Sequence, residues 1–305
     1  MDDQRRCIAC DRAEPFPPLL RGARVSTPLE HVARLVRCPR CGLVFQDPRP
    51  EAGWAGPYYQ DPAFTAALFG PLRRFTLEQA ERKAVLLGDR LGPGARVLDV
   101  GCSSGAFLEV AAGRGAEAVG VEVGEATAAA ARERGLDVRT GTLEQALAGL
   151  AGENFDVVTF WDVLEHLDDP RRELGLARRL LAPDGRVAAT MPNEAGWYPR
   201  LTRRLIAHNT RTAVWEYPEV GHLWEFSPDT IRRVLERAGY RLDELRTFGT
   251  PFSYYRTTTL SPDRLGRGAS GRALRLAFEA LRVPVYPLAR LFGRGNAMFV
   301  AASGS

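Results

Sequence analysis

Two parts of the sequence carry residue types whose spacing could do chemistry. The first is the stretch "RVLDVGCSSGAFLEV", residues 96–110, in which a short apolar run ends in Asp99 and a glycine turn precedes a helical pattern. Gly101 and Gly105 have no Cβ, so the backbone can take a positive φ there and a ligand can lie against it. The helix that follows offers free backbone N–H groups at the same place. The pattern predicts a nucleotide-binding turn.

Four of the five cysteines form the second candidate site. They lie in two C-x-x-C pairs separated by 27 residues, Cys7 with Cys10 and Cys38 with Cys41. Each pair can turn both sulfurs toward one point, and four thiolates satisfy the tetrahedral preference of Zn²⁺. Two disulfides are the alternative, which a reducing compartment disfavours. We expect a closed, structural zinc site on which a short module with little core of its own depends for folding.

An alternation of strands and helices must position the glycine turn. The alternation predicts a parallel α/β sheet with helices on both faces, whose ligands bind beyond the carboxyl ends of the strands. The predicted strands are 95–101, 116–123, 136–141, 155–161, 185–191 and the segments "YRLDELRTFG" and "NAMFVAASG". The predicted helices are 72–91, 105–113, 125–134, 143–150, 171–182 and one that starts at Ser227 and Pro228.

Composition and charge narrow the class of protein. The chain has 305 residues and 45% hydrophobic content, which is ordinary for a globular protein. No apolar segment approaches the ~20 residues that cross a bilayer, and the first thirty residues lack a secretory hydrophobic region. We therefore expect a cytoplasmic protein. The net charge of +4 hides an excess of +8 in residues 200–305, which could attract a phosphate-bearing substrate or an acidic surface. A solvated charged exterior is the alternative.

The identity of the nucleotide follows from two carboxylates. A dinucleotide fold would show G-x-G-x-x-G after its first strand, and the third glycine is missing here. Glu122 ends the second strand, where its carboxylate can take both ribose hydroxyls. Asp99 beside the turn suits a ligand with an ammonium group and repels a pyrophosphate. Together these residues indicate S-adenosylmethionine (SAM).

Residues 95–193 resemble the class I SAM-dependent methyltransferases. The matching motifs are "LDVGCSSG", "GVEV", "FDVVTFWDVLEHLDDP" and "LLAPDGRVAATMPN". The later stretch "HLWEFSPDTIRRVLERAGY" is typical of the ubiquinone-methyltransferase-like branch. The resemblance implies an α/β fold, a Rossmann-like seven-stranded methyltransferase sheet with a small N-terminal zinc-ribbon module. Ser103 is a departure, because many members have glycine at this position.

The resemblance also implies which residues bind SAM. The residues implied at its methionine end are Asp99, Gly101, Cys102, Ser103 and Gly105. The residues implied elsewhere are Glu122 at the ribose, Thr142 and Leu143 at the adenine, and Trp161 and Asp162 on the sulfonium side. Tyr58 and Tyr59 resemble a tyrosine pair that follows the ribbon in this family and could close over the cofactor and the acceptor. Aromatic packing between domains is the alternative for this pair.

A hydroxyl acceptor would need a general base, and histidine is the side chain best suited near neutral pH. His222 lies between the fifth strand and the next helix, the usual place of acceptor-binding loops, and we expect Glu219 or Glu216 to orient it. His166 after the fourth strand is the second candidate. His31 and His208 are expected at the surface.

We expect three parts: a four-cysteine zinc ribbon (1–50), an aromatic linker or lid with a helix (51–91) and the methyltransferase domain (92–305). Within the last, 194–226 is the expected acceptor loop, and 250–295 is an insertion that caps the acceptor pocket or rests on a lipid-linked substrate. Residues 45–64, rich in Pro, Gly and aromatics, indicate a linker more than regular structure.

We expect transfer of a methyl group from SAM to a hydroxyl of a small-molecule, sugar or glycan acceptor. The pairing of ribbon and domain resembles bacterial methyltransferases of glycan and natural-product gene clusters, including deoxysugar C-methyltransferases. The alternatives are therefore C-methylation of a deoxysugar, methylation of an RNA base, or a non-catalytic SAM-binding scaffold. Nucleic acid is not the expected partner, because residues 11–37 have no Lys and no aromatic except Phe16.

Overall fold

The computed structural model of the chain describes residues 6–19, 24–26, 32–51, 53–54, 56–197, 200, 214–215, 222–249 and 294–305. The chain divides into two compact units. The ribbon unit comprises the described residues of Met1–Arg49, Pro192–Ile231 and Leu245–Met298. The sheet unit comprises those of Pro50–Met191, Arg232–Glu244 and Phe299–Ser305. The three-part division at residues 50 and 91 stays a prediction.

The strands fall into two sheets. Their bounds are β1 Arg24–Ser26, β2 Val32–Arg37, β3 Val44–Asp47, β4 Arg96–Val100, β5 Glu117–Glu122, β6 Asp137–Thr140, β7 Phe155–Trp161, β8 Leu181–Pro192, β9 Val214–Trp215, β10 Trp224–Glu225, β11 Tyr240–Phe248 and β12 Ala297–Gly304. The larger sheet has the order β11-β12-β8-β7-β4-β5-β6, and the smaller has the order β10-β3-β2-β1-β9. The predicted seven-stranded, Rossmann-like sheet is confirmed.

Helices follow most strands of the larger sheet. Their bounds are α1 Gly56–Tyr59, α2 Pro62–Phe69, α3 Arg73–Leu87, α4 Ala106–Gly113, α5 Glu125–Glu133, α6 Leu143–Ala146, α7 Pro170–Arg178 and α8 Pro228–Arg237. Within the described residues, no helix is long and apolar enough to cross a membrane.

The central strands of the larger sheet are parallel and buried. β4 lies between β5 and β7 and is parallel to both. Val97, Leu98, Val158 and Phe160 are fully buried, which explains why adjacent positions of these strands are apolar rather than alternating with polar ones. The chain order of the strands reverses between β4 and β7, and ligands of open α/β sheets bind beyond the carboxyl ends of the strands at such a reversal.

Three sequence predictions differ from the structure in local detail. The helix predicted over 171–182 ends at Arg178, because Pro183 cannot continue a helix and β8 begins at Leu181. The helix predicted over 143–150 is α6 followed by a 3₁₀ turn at Leu147–Leu150.

The third difference concerns the segment 45–64, which was expected to be irregular. It holds most of β3, all of α1 and the start of α2. Asp61 caps α2 by accepting a hydrogen bond from the Ala63 N–H, and Pro62 follows at the first helical position. These two residues are an ordinary helix-start signal. The predicted cap insertion, 250–295, lies outside the described residues except for its last two positions.

Candidate functional site

The glycine turn after β4 has a left-handed backbone at alternate residues. The φ angles are 73° at Gly101, 52° at Ser103 and 73° at Gly105. The N–H groups of Gly101 and Cys102 both donate to the Val121 carbonyl, at 2.8 and 3.0 Å, and so fix the turn against β5. The turn is therefore positioned by the neighbouring strand.

Both glycines of the turn are needed for space as well as for φ. A Cβ at Gly101 would lie 2.7 Å from a methyl carbon of Val163, and a Cβ at Gly105 would collide with the side chain of Leu136. Ser103 occupies a left-handed position that costs a side chain roughly 1–2 kcal/mol. A glycine at this position would avoid this cost.

Asp99 is a buried carboxyl group on β4. It is 2% exposed, and Oδ1 accepts a hydrogen bond of 2.6 Å from the Thr159 hydroxyl on the adjacent strand β7. Burial raises the pKa of Asp99 to about 7, although the Thr159 hydrogen bond and the charge of Lys83 lower it. Asp99 can therefore gain or lose a proton near neutral pH.

Glu122 ends β5 with its carboxylate held by two backbone amides. Ser103 N–H donates to Oε2 at 2.9 Å, and Gly124 N–H donates to Oε1 at 2.7 Å. Burial raises the pKa of Glu122 above its ordinary value, and these hydrogen bonds lower it. Each oxygen retains accepting capacity, since a carboxylate offers about four acceptor positions. The carboxylate is thus oriented and still able to accept two further hydrogen bonds.

A third charged group lies at the end of β7. Asp162 has a φ of 59° and accepts a hydrogen bond of 3.1 Å from the Thr190 hydroxyl. The Lys83 ammonium lies 3.0 Å from Asp162 Oδ2 and 5.8 Å from the centre of the Trp161 ring. The buried indole N–H of Trp161 has no hydrogen-bond partner among the described residues. Lys83, the only lysine of the chain, was not predicted as a site residue.

The remaining predicted cofactor residues also belong to the sheet unit. Thr142 caps α6 in a reciprocal capping box with Gln145, and Leu143 is buried directly after it. Tyr59 ends α1, and its carbonyl lies near Gly124, where a Cβ would approach it to 2.7 Å. The side chain of Tyr58 lies outside the described residues. Every residue predicted to bind the cofactor therefore belongs to the sheet unit.

The four N-terminal cysteines converge in the ribbon unit. Cys7 Sγ lies 3.4 Å from Cys41 Sγ, Cys10 Sγ lies 3.5 Å from Cys38 Sγ, and all four sulfurs lie within 4.8 Å of one another. These separations are far longer than the ~2.0 Å of a disulfide bond. They fit a tetrahedral zinc site, whose Zn–S distances of about 2.3 Å place the sulfurs about 3.8 Å apart.

The two cysteine pairs are held by matching hydrogen bonds. Cys7 N–H donates to Arg12 O, and Cys38 N–H donates to Leu43 O. In each pair, the first cysteine is thus hydrogen-bonded to the residue five positions after it. Each pair is also followed by a left-handed residue, Asp11 with a φ of 56° and Gly42 with a φ of 82°. The repeated geometry turns both sulfurs of each pair inward, as the spacing predicted.

The predicted catalytic histidines lie in different units. His222, in the ribbon unit, is buried, and its Nδ1 lies 3.4 Å from Glu225 Oε1. His166, in the sheet unit, is half-buried in the turn after β7, where its N–H donates to Val163 O. Glu219, Glu216, His31 and His208 lie outside the described residues. Within the described part of the ribbon unit, Glu225 is a carboxylate beside His222, and sequence reasoning missed it although it lies three residues away.

A family model described as "Methyltransferase domain" matches residues 72–245, more than half of the chain. The chain belongs to this methyltransferase-domain family. The match includes the glycine turn, both buried carboxylates and Asp162, and it begins at the residue before α3, which carries Lys83. The methyltransferase domain thus contains the predicted cofactor residues except Tyr59.

Curated relatives of the methyltransferase domain include ubiquinone biosynthesis O-methyltransferases. The protein from Hahella chejuensis is 44% identical over 97 residues, which are 30% of this chain and 40% of that protein. The one from Pseudomonas fluorescens is 39% identical over 107 residues, which are 33% of this chain and 46% of that protein. The matched regions therefore span less than half of these relatives.

Solved structures share the fold of the methyltransferase domain. The mitomycin 7-O-methyltransferase MmcR has a TM-score of 0.53 and 17% identity over 84% of this chain and 64% of its own. A chain from the complex between the Haloferax volcanii Trm112 methyltransferase activator and a methyltransferase has a TM-score of 0.51 and 14% identity over 80% of this chain and 96% of its own. At these identities the similarity concerns the fold alone.

Proposed function

We propose that the chain transfers a methyl group from SAM to a hydroxyl of a small-molecule or sugar acceptor. The observation that carries the proposal is the pair of buried carboxylates, Asp99 and Glu122, on either side of a turn with three left-handed residues. The family match and the O-methyltransferase relatives support it. A methyltransferase needs mainly to align the reactants and exclude water, because the SAM methyl group is already electrophilic.

The candidate cofactor residues of the sheet unit each have a proposed partner in the bound ligands. Glu122 accepts hydrogen bonds from both ribose hydroxyls. The N–H groups of Ser103 and Gly124 hold its carboxylate in the orientation that this requires. Asp99 lies on the side of the ammonium group. Lys83 pairs with the methionine carboxylate, and the Trp161 N–H donates to a polar atom of the bound ligands. Thr142, Leu143 and Tyr59 border the adenosine.

The Lys83 assignment has a sharp test. Replacing Lys83 with Met removes one charge and should weaken SAM binding about tenfold, since a charge-assisted hydrogen bond contributes about 1.5 kcal/mol or more. Decarboxylated SAM should bind both proteins with the same affinity. Arg82→Met, which changes the exposed neighbouring residue, is the matched control for titration calorimetry. Equal weakening for both ligands would show that Lys83 acts only through Asp162.

In the acceptor site, His222 is the proposed general base, and Glu225 is the carboxylate that orients it. The ubiquinone-branch relatives are O-methyltransferases, which favours a hydroxyl acceptor. The test is methyl transfer from isotopically labelled SAM to a panel of phenolic and sugar acceptors. His222→Asn should lower turnover about 100-fold while SAM binding persists, and His166→Asn should leave turnover high.

The cysteine centre is proposed to hold a structural Zn²⁺ through Cys7, Cys10, Cys38 and Cys41. Four cysteine ligands leave no open position for substrate or water, so the metal supplies a crosslink and no chemistry. Metal analysis should find one zinc ion per chain. A metal-free, folded protein would exclude this assignment. Steeply salt-dependent RNA binding would instead favour the RNA base methyltransferase alternative.

A further inference from the structure

The segment 194–226, which we call the acceptor segment, supplies both edge strands of the ribbon sheet. β9 pairs with β1 in parallel, with Val25 opposite Trp215. β10 pairs with β3 in antiparallel orientation, with Phe45 opposite Trp224. The ribbon's own strands β1, β2 and β3 lie between them. A three-stranded ribbon alone would leave two rows of unpaired backbone groups, and β9 and β10 each pair with two residues of one row.

The contacts at β10 are tight and buried. Gln46 N–H donates to Leu223 O at 3.0 Å, and the Gln46 side-chain amide donates to the His222 carbonyl at 2.6 Å. The Phe45 and Trp224 rings lie 5.6 Å apart, and both side chains are buried. These groups fix the backbone at the proposed base, His222, from the residues that follow the second cysteine pair.

A second contact joins the same cysteine pair to the start of the acceptor segment. Arg37, directly before Cys38, donates to Gly42 O at 3.2 Å and to Glu194 Oε1 at 3.2 Å. Glu194 is buried, and its N–H donates to Phe226 O at 2.8 Å, which closes the two ends of the segment onto each other. Both ends of the segment are therefore held by residues that flank Cys38 and Cys41.

We propose that the four-cysteine centre governs acceptor recognition rather than cofactor binding. With its metal, the ribbon keeps β3 and Arg37 in the positions that hold the acceptor segment. Without the metal, strands of two residues such as β9 and β10 have too little pairing of their own to stay ordered. The inference rests on the proposed function for the role of the segment, and the cofactor residues all lie in the sheet unit.

The test is hydrogen exchange of the full-length protein with and without zinc. The reporter amides of the ribbon unit are Gln46 and Glu194, and those of the sheet unit are Gly101 and Cys102. Zinc removal should speed exchange of the first pair at least about tenfold and leave the second pair protected. The SAM dissociation constant, from calorimetry, should change by less than about threefold.

A zinc-retaining variant separates this coupling from general unfolding. Arg37→Ala should keep its zinc and speed exchange at Glu194 at least about tenfold, because the guanidinium contact is lost. Arg34→Ala is the matched control, since Arg34 lies on the same strand and its side chain is 60% exposed. Unchanged exchange at Glu194 in Arg37→Ala overturns the inference.

Measurements on zinc-free protein test the same inference. Retained protection at Gln46 and Glu194, or a parallel loss of SAM affinity, also overturns the inference. Failure of the zinc-replete protein to bind SAM would instead refute the proposed function, while the exchange results would still stand.

Discussion

The two units hold their candidate functional groups by contacts of different range. In the sheet unit, the Glu122 carboxylate is oriented by amides two and nineteen residues away, within one strand-turn-strand arrangement. In the ribbon unit, Arg37 reaches Glu194 across 157 positions, and Gln46 reaches His222 across 176. The proposed cofactor site is therefore built from contacts that are short in sequence, whereas the described ends of the proposed acceptor segment are held by residues far away in sequence.

The largest expected effect is the loss of stability of the ribbon unit, but not of the sheet unit, when zinc is lost. Cys38→Ser removes one zinc ligand and should abolish zinc binding, which contributes on the order of 10 kcal/mol to the folding of small zinc modules. Scanning calorimetry should then show the ribbon unit unfolding at a much lower temperature than the sheet unit. Cys102→Ser, at the cysteine outside the cluster, should retain one zinc per chain. A single unchanged unfolding transition in zinc-free Cys38→Ser would show that the ribbon unit does not depend on zinc.

A smaller effect is expected on the free energy of unfolding when the packing of the glycine turn is disturbed. Gly105→Ala places a Cβ against Leu136 at a φ of 73° and should lower the free energy of unfolding by about 2–3 kcal/mol. Gly135 has a φ of 83° and open space around its Cα, so Gly135→Ala should cost about 1 kcal/mol. Urea unfolding measures both. Equal losses would mean that the packing at Gly105 contributes nothing.

The smallest effect is the pH dependence of SAM binding. Burial raises the pKa of Asp99 to about 7, so the carboxyl must release its proton when it faces an ammonium group. Binding should tighten about tenfold between pH 6 and pH 8 and level off above. Asp99→Asn should flatten the profile in calorimetric titrations. The free energy of unfolding of the ligand-free protein changes in the opposite direction. Because folding raises the pKa of Asp99, the contribution of this carboxyl group to stability is lost as pH rises from about 4 to 7.

The sequence predicted the sheet unit in more detail than the ribbon unit. Apolar runs are local patterns, so spacing alone could place most of the strands. The cysteine pairs predicted their own convergence for the same reason. The full set of cofactor residues came from the resemblance to a family, and their roles stay predictions. Helix ends were less predictable: the expected helix over 171–182 ignored Pro183, and the helix start at Asp61 and Pro62 was hidden in a segment expected to be irregular.

The contacts of the acceptor segment could not be predicted, because they join residues far apart in sequence. Nothing near Gln46 indicates that its amide holds the His222 carbonyl. Glu225 is the exception, since its spacing of three from His222 was a visible signal. Lys83 was missed because its partner, Asp162, lies on another element after 78 intervening residues.

Binding of SAM by the two buried carboxylates can be measured by calorimetric titration of zinc-replete protein. We expect binding in the micromolar range and a loss of affinity of about 100-fold or more in Glu122→Ala, because two hydrogen bonds to a carboxylate are removed. Glu117→Ala, at the exposed start of the same strand, should bind like the wild type. No binding by the wild type, or equal binding by Glu122→Ala, would contradict the claim that this domain binds SAM through its two buried carboxylates.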